Sequence, residues 1–278
     1  MTTTKRNLKS GKIRRLTESA ILLALATVLS VLKLYEMPYG GSLTLASMMP
    51  VIIIAYRYGA LWGSSCAFVY GILQQLLSLS TLSYVTTWQS VVAVILLDYV
   101  VAFAVLGLGG VFRKATNNQT LAMLEGTFLV CLLRYLCHLV SGCTVWAGLS
   151  IPTTAALWYS VLYNASYMIP ETLITLAAVY YVSSQVDFSK VLPVRKKTEK
   201  ESLGSIITEI IGATALLGGF VYDVITVFSH MQNEDGEFDI TALSAISGDT
   251  VKWLIIVNVL CAVVFAVMKA VKKFVKKK

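Results

Sequence analysis

The chain has 278 residues, of which 56% are hydrophobic and only 14% charged, with a mean hydropathy of +0.73. A soluble domain carries about 25% charged residues, so this composition excludes a water-soluble globule and points to an all-α integral membrane protein. The 23 lysines and arginines against 15 acids leave a formal net charge of +8, but no aromatic-interleaved basic platform accompanies them, which argues against nucleic-acid binding.

A bilayer core needs about 20 apolar residues per helix. Eight stretches qualify, at about 16–34, 44–60, 61–80, 89–112, 119–141, 155–182, 204–228 and 250–271. The first follows basic residues but is helix-length and lacks a small-residue cleavage site, so it reads as a retained span. The second and third nearly touch, which predicts a tight hairpin around residues 58–63. Basic clusters fall at 5–15, 113–114, 190–200 and 269–278. Such clusters mark cytoplasmic ends. Threading eight spans with both termini inside puts every cluster on one side, and Glu234, Asp235, Glu237 and Asp239 on the other. The basic tail also suits anionic lipid in the bilayer.

The chain divides near residue 185. Residues 1–185 carry six spans with short connections, 186–203 read as a basic linker containing Pro193, and 204–278 hold two further spans and the basic tail. No internal repeat is visible, so an inverted-repeat transporter is not supported. The five cysteines are odd in number and form no CxxC. They read as small apolar fillers, with neither a disulfide framework nor a metal site.

Residues 131–167, CLLRYLCHLVSGCTVWAGLSIPTTAALWYSVLYNASY, are the most informative stretch. They set Arg134, His138, Trp146, Tyr159, Asn164 and Tyr167 among membrane-spanning residues. Upstream, Asp98 and Tyr99 interrupt VVAVILLDYVVAFAVLGLGG. Ionisable and amide side chains are costly in hydrocarbon and mark pathways or ligand sites. A carboxylate beside aromatic faces suits an organic cation. Counted from the span ends at 1.5 Å per residue, Asp98, Arg134 and Asn164 fall at similar depth, about 12–14 Å in. Asp98 could serve a ligand or pair structurally with Arg134. Arg134 repels a cation, so its expected role is to orient Asp98 or satisfy helix-end carbonyls. His138 could be a bundle hydrogen-bonder, Trp146 a membrane-interface residue and Asn164 an interhelical bridge. Glu171, after Pro170, has no assigned role.

Taken together, RYLCHLVSG, then Trp146, then YSVLYNASY, with LDYVVAFAVLGLGG and the loop-helix stretch MPYGGSLTLASMMPVIIIAYRYG, resemble the thiamine-specific S-component of energy-coupling factor (ECF) vitamin transporters. The likeness spans about residues 12–183. It implies a six-helix S-component bundle with two additional C-terminal transmembrane helices outside the family pattern. By the resemblance, the protein is no enzyme. It captures thiamine from outside a bacterial plasma membrane and delivers it with a membrane scaffold subunit and two cytoplasmic ATPases. Its site would comprise Asp98, Tyr99, His138, Trp146, Tyr159 and Asn164, with Tyr35 or a neighbour in the first-loop lid. Ala20 and Ala24 would form the small-xxx-small face that meets the scaffold. No cofactor is implied, and GLGGVFRK at 107–114 does not fit a phosphate loop. The family usually has Glu where this chain has Asp98. The alternatives are the same fold with a thiamine precursor or another heteroaromatic ligand, and an autonomous ion-coupled secondary transporter.

Overall fold

The computed structural model describes residues 2–146, 151, 153–196, 203–231, 242 and 246–275. The chain forms two compact units, residues 1–196 and 197–278. In the first, helices α1 (Thr2–Val31), α2 (Met49–Tyr58) and α3 (Ala60–Leu77) are followed by a continuous helical segment α4 (Trp88–Lys114). Helices α5 (Gln119–Thr144) and α6 (Thr154–Gln185) complete it. The second unit pairs α7 (Leu203–Ser229) with α8 (Gly248–Val275). Among the described residues, four helical stretches are long and apolar enough to cross a membrane by length and composition: Trp88–Lys114, Gln119–Thr144, Ile207–Val227 and Gly248–Phe274. Polar side chains dilute α6, and several of these, Ser160, Asn164 and Glu171 among them, are buried inside the bundle.

The second predicted span, 44–60, is shorter than its apolar run suggests. Residues Lys33–Glu36 (β1) and Ser42–Thr44 (β2) pair as an antiparallel hairpin. Ala46 then turns through a positive φ of 57°, and Pro50 opens the helix near its first position, where a missing N–H costs nothing. The 10 residues of α2 rise about 15 Å, roughly half a bilayer core. Gly59, at φ 89°, reverses the chain into α3, a backbone setting that glycine tolerates without strain. This is the tight hairpin expected at 58–63.

Constant offsets reveal how the helices run. Trp62 donates to Ser19 at 2.9 Å, Tyr70 to the Ala26 carbonyl at 3.3 Å and Gln74 to Ser30 at 2.9 Å, so α1 and α3 lie parallel. α4 returns antiparallel to α3, with Phe103 edge-on to Tyr70 at 5.3 Å. Lipid tails are as apolar as leucine, so such helices are held by close packing and hydrogen bonds rather than by hydrophobic expulsion. Gly126 on α5 is the tightest instance: a Cβ there would sit 1.9 Å from the Gly109 carbonyl of α4.

At the end opposite the β1–β2 loop, Glu18 of α1 receives both Arg57, through an ion pair and a 2.9 Å hydrogen bond, and the Tyr58 hydroxyl at 2.6 Å. Arg57 also caps the carbonyls of Phe188, Lys190 and Val191. Gln119 bonds Ser183, Val186 and Phe188, and Lys196 bonds the Ser183 carbonyl at 2.8 Å. Residues 186–196 thus fold as a small hairpin, Val186–Asp187 (β3) with Val194–Arg195 (β4), fastened to the first unit. The sequence-derived linker begins here; its residues 197–202, the segment with the acids 234–239, and Pro152 lie outside the described residues. Within the second unit, Asn258 donates to both Asp223 oxygens at 2.8 and 2.9 Å, and Lys272 pairs with Glu209, which fixes α7 and α8 antiparallel.

Backbone-tight packing makes a signed prediction. Gly126→Ala should destabilise the detergent-solubilised protein by about 1–3 kcal/mol through overpacking. Gly218→Ala, on an open helix face with nothing within 4 Å, should stabilise it slightly, by about 0.5–1 kcal/mol. Thermal unfolding midpoints moving in the same direction in both variants would contradict this packing.

Candidate ligand-binding site

A cavity of about 140 Å³ opens at the loop end of the first unit. Helices α4, α5 and α6 and the entrance loop form most of its wall, with Gln74 of α3 and Ser78 and Thr81 just beyond α3 completing it. α4 contributes Asp98, Tyr99 and Phe103, and α5 contributes Arg134 and His138, with Trp146 just past its end. α6 contributes Tyr159, Tyr163, Asn164, Tyr167 and Glu171.

Local backbone explains the α4 contribution. Ile95–Val101 winds as a π-helix inside the longer helix. Such wide single turns often mark functional sites. Here it buries two consecutive residues, Asp98 at 9% exposure and Tyr99 at 6%, although neighbours on a regular helix point about 100° apart (3.6 residues per turn).

The Asp98 carboxylate is fully wired. His138 Nδ1 lies 2.8 Å from Oδ1, the Ser141 hydroxyl donates to Oδ2 at 2.6 Å, and the Trp146 indole N–H donates to Oδ2 at 3.1 Å. An ionised carboxylate only accepts, so the imidazole donates from Nδ1. Its Nε2 is then an acceptor in the neutral ring and a donor in the imidazolium. Nε2 is buried and has no partner among the described residues, which leaves that atom for a ligand.

Aromatic rings continue the wall. Tyr159 stacks on Tyr163 at 6.0 Å and 12°, Tyr163 meets Tyr167 edge-on at 6.0 Å, and Tyr167 meets His138 at 6.3 Å. They rise at four-residue spacing on one face of α6. At the mouth, Tyr39 adopts a positive φ of 68° and packs edge-on to Tyr84 at 5.3 Å.

The structure thus gathers Asp98, Tyr99, Arg134, His138, Trp146, Tyr159 and Asn164 around one cavity. Tyr35 stands apart: it pairs with Leu43 in the hairpin, and the neighbour that reaches the cavity is Tyr39. Arg134 is also corrected in detail. Its guanidinium lies over the Phe103 ring at 4.3 Å and donates to Met48 Sδ at 3.1 Å, while the groups that orient Asp98 are His138, Ser141 and Trp146. Asn164 bridges helices: its amide donates to the His138 carbonyl at 3.3 Å and to Ser160, and its carbonyl accepts from Tyr167 at 2.8 Å. Ala20 and Ala24 are exposed on α1, away from the cavity. Sequence reasoning missed Ser141 and Tyr163, whose signal was spacing: Arg134, His138 and Ser141 form one stripe on α5, and Tyr159, Tyr163 and Tyr167 another on α6.

Comparison with known proteins points one way. Residues 16–189 match the family described as thiamine transporter protein (Thia_YuaJ). The chain is 34% identical over 178 residues to the thiamine transporter ThiT of Bacillus subtilis (strain 168), covering 60% of this chain and 88% of that protein. It is 26% identical over 183 residues to the thiamine transporter ThiT of Lacticaseibacillus paracasei, covering 58% and 83%. A solved structure of ThiT from Listeria monocytogenes superposes with a TM-score of 0.50 at 22% identity, over 62% of this chain and 94% of that one, a likeness of fold.

The Asp98 cluster predicts a graded loss of stability in ligand-free protein. Trp146→Phe removes one donor and keeps a ring, at a cost of about 1 kcal/mol. Asp98→Ala strands the donors that converge on it and should cost about 3–5 kcal/mol. Chemical or thermal unfolding in detergent reads both, and equal losses would mean the Trp146 bond dominates the cluster.

Proposed function

The chain belongs to the thiamine transporter protein family, and on that premise we propose that it is the substrate-capture subunit of an ECF-type vitamin uptake system, binding thiamine in the cavity beneath the entrance loop. The observation that carries this reading is the buried Asp98 carboxylate set among aromatic faces. Thiamine joins an aminopyrimidine to a cationic thiazolium. Two carboxylates, Asp98 and Glu171, and one guanidinium, Arg134, line the cavity. At formal charges they leave one negative charge, which a monocation neutralises. The tyrosine faces and Trp146 supply the π surfaces a cation prefers. His138 Nε2, without a partner among the described residues, offers a hydrogen-bond partner to the aminopyrimidine.

In this reading the protein is a multi-pass plasma-membrane transport component rather than an enzyme. Its entrance loop faces outward and both termini lie in the cytoplasm, where the basic clusters meet anionic lipid. Thiamine passes inward through a membrane scaffold subunit powered by two cytoplasmic ATPases. The exposed Ala20 and Ala24 give α1 a shallow face where a partner helix approaches closely.

Fluorescence titration of the purified protein tests the ligand. Thiamine should quench tryptophan emission, and Trp146→Ala should remove most of the signal. Asp98→Asn should weaken thiamine by about 1.5–3 kcal/mol and an uncharged analogue by less. Equal losses would make Asp98 purely structural.

Uptake in cells tests the partnership. Ala20→Trp with Ala24→Trp should abolish uptake while the purified variant still binds thiamine. Uptake surviving in the double variant would favour a chain that transports alone or docks elsewhere. Removing residues 197–278, beyond the hairpin that Arg57 and Gln119 hold, should leave binding intact.

A further inference from the structure

Glu171 is the second carboxylate of the cavity and takes no part in the Asp98 cluster. It is 2% exposed. One of its oxygens accepts the Thr44 backbone N–H at 2.6 Å, and the other accepts the Thr44 hydroxyl, also at 2.6 Å. The Thr44 and Ser47 hydroxyls also lie within hydrogen-bond distance, 2.8 Å apart. Thr44 ends β2, the inner strand of the entrance loop. From there a continuous mechanical path runs to the mouth. β2 pairs with β1 through Tyr35–Leu43 and Glu36–Ser42. The Met37 N–H closes the turn on the Gly41 carbonyl at 2.6 Å. Gly40 lies so close to Thr81 that a Cβ would come within 2.7 Å of it, and Tyr39 rests on Tyr84. The outer contact is half exposed, with Tyr39 at 45% and Tyr84 at 55%. The inner contact is buried and charge-assisted, which makes it the stronger of the two.

We infer that Glu171 is a positioning residue: its carboxylate fastens the inner end of the entrance loop to α6 and thereby sets how slowly bound ligand leaves the cavity. The arrangement couples two walls. α6 carries both the tyrosine ladder and the loop's anchor, so the loop bearing Tyr39 is held in register with the rings on α6. Loss of the anchor frees the loop without removing any group of the Asp98 cluster. The effect therefore falls on dissociation rather than on encounter, as it does for most changes within one interface. The inference rests on the reading that the cavity takes thiamine, and the experiment separates the two.

Glu171→Gln, Thr44→Val and the double variant are compared with the parent by two measurements. The first is amide hydrogen exchange of peptides covering 37–48 in ligand-free, detergent-solubilised protein. The second is stopped-flow tryptophan fluorescence, giving thiamine association and dissociation rates. Glu171→Gln keeps the side chain's size but also removes a charge from the cavity wall, so Thr44→Val, which removes only the hydroxyl contact and keeps the carboxylate, is the variant that isolates the anchor. Exchange across 37–48 should rise by about tenfold in each variant, with peptides of α5 unchanged. Dissociation should quicken by about tenfold with association within about twofold. The double variant should lose less than the product of the two single effects, because both changes act on the same Thr44–Glu171 junction. Unchanged exchange, a loss confined to the association rate, or effects that multiply in the double variant would each overturn the inference. A parent that binds no thiamine would defeat the ligand assignment alone, and the exchange result would then decide whether Glu171 fastens the loop.

Discussion

Burying a carboxylate at membrane depth is the constraint on which the first unit is organised. An unpaired ionised group in hydrocarbon is prohibitively costly, so every element near Asp98 supplies either a donor or a shield. His138 and Ser141 come from one face of α5, and Trp146 from the chain just beyond it. The π-helical turn of α4 brings the carboxylate to them. Asn164, bonded to the His138 carbonyl and to Tyr167, braces α6 against the same helix. The glycine contact between α4 and α5 keeps the two helices close enough for the bonds to form. Fully satisfied, such a network specifies a single geometry; with one member missing it becomes a liability.

That geometry leaves a space with unequal ends. Near Asp98 the wall offers negative charge, an imidazole nitrogen and an indole. Near Arg134 it offers a guanidinium held over Phe103 and the Glu171 carboxylate already committed to the loop. A flat cation with one hydrogen-bonding ring fits this asymmetry. The surroundings are stiff aromatic side chains of α6, which lose little conformational freedom when a ligand arrives. The tyrosine ladder and the Glu171 anchor share α6, whereas Ala20 and Ala24 are exposed on α1 away from the cavity, so on the proposed reading capture and docking are separable.

Much of this was legible in the sequence because hydrocarbon makes polar residues conspicuous. Asp98, Arg134, His138 and Asn164 stood out from their apolar runs, and depth counting placed three of them at one level. What escaped was of three kinds. Ser141 and Tyr163 are residue types common in any membrane helix, and only their spacing set them apart. Tyr39 rather than Tyr35 reaches the cavity because the loop turns through a positive φ at Tyr39, a conformation that a non-glycine residue seldom signals. The apolar run 44–60 looked like a whole span, but the Glu171–Thr44 contact and the left-handed Ala46 hold its first residues out of the helix. Similarly, 186–196 read as polar linker because its partners, Arg57 and Gln119, lie far away in sequence.

Isothermal titration of the purified parent protein with thiamine, run beside its isolated aminopyrimidine and thiazolium halves, tests the central claim most directly. The account predicts saturable one-to-one binding of thiamine, weaker binding of each half, and a larger share of the affinity lost when the cationic half is removed. No saturable heat with thiamine, or equal affinity for thiamine and its uncharged half alone, would contradict a cavity organised around a buried carboxylate for an aromatic cation.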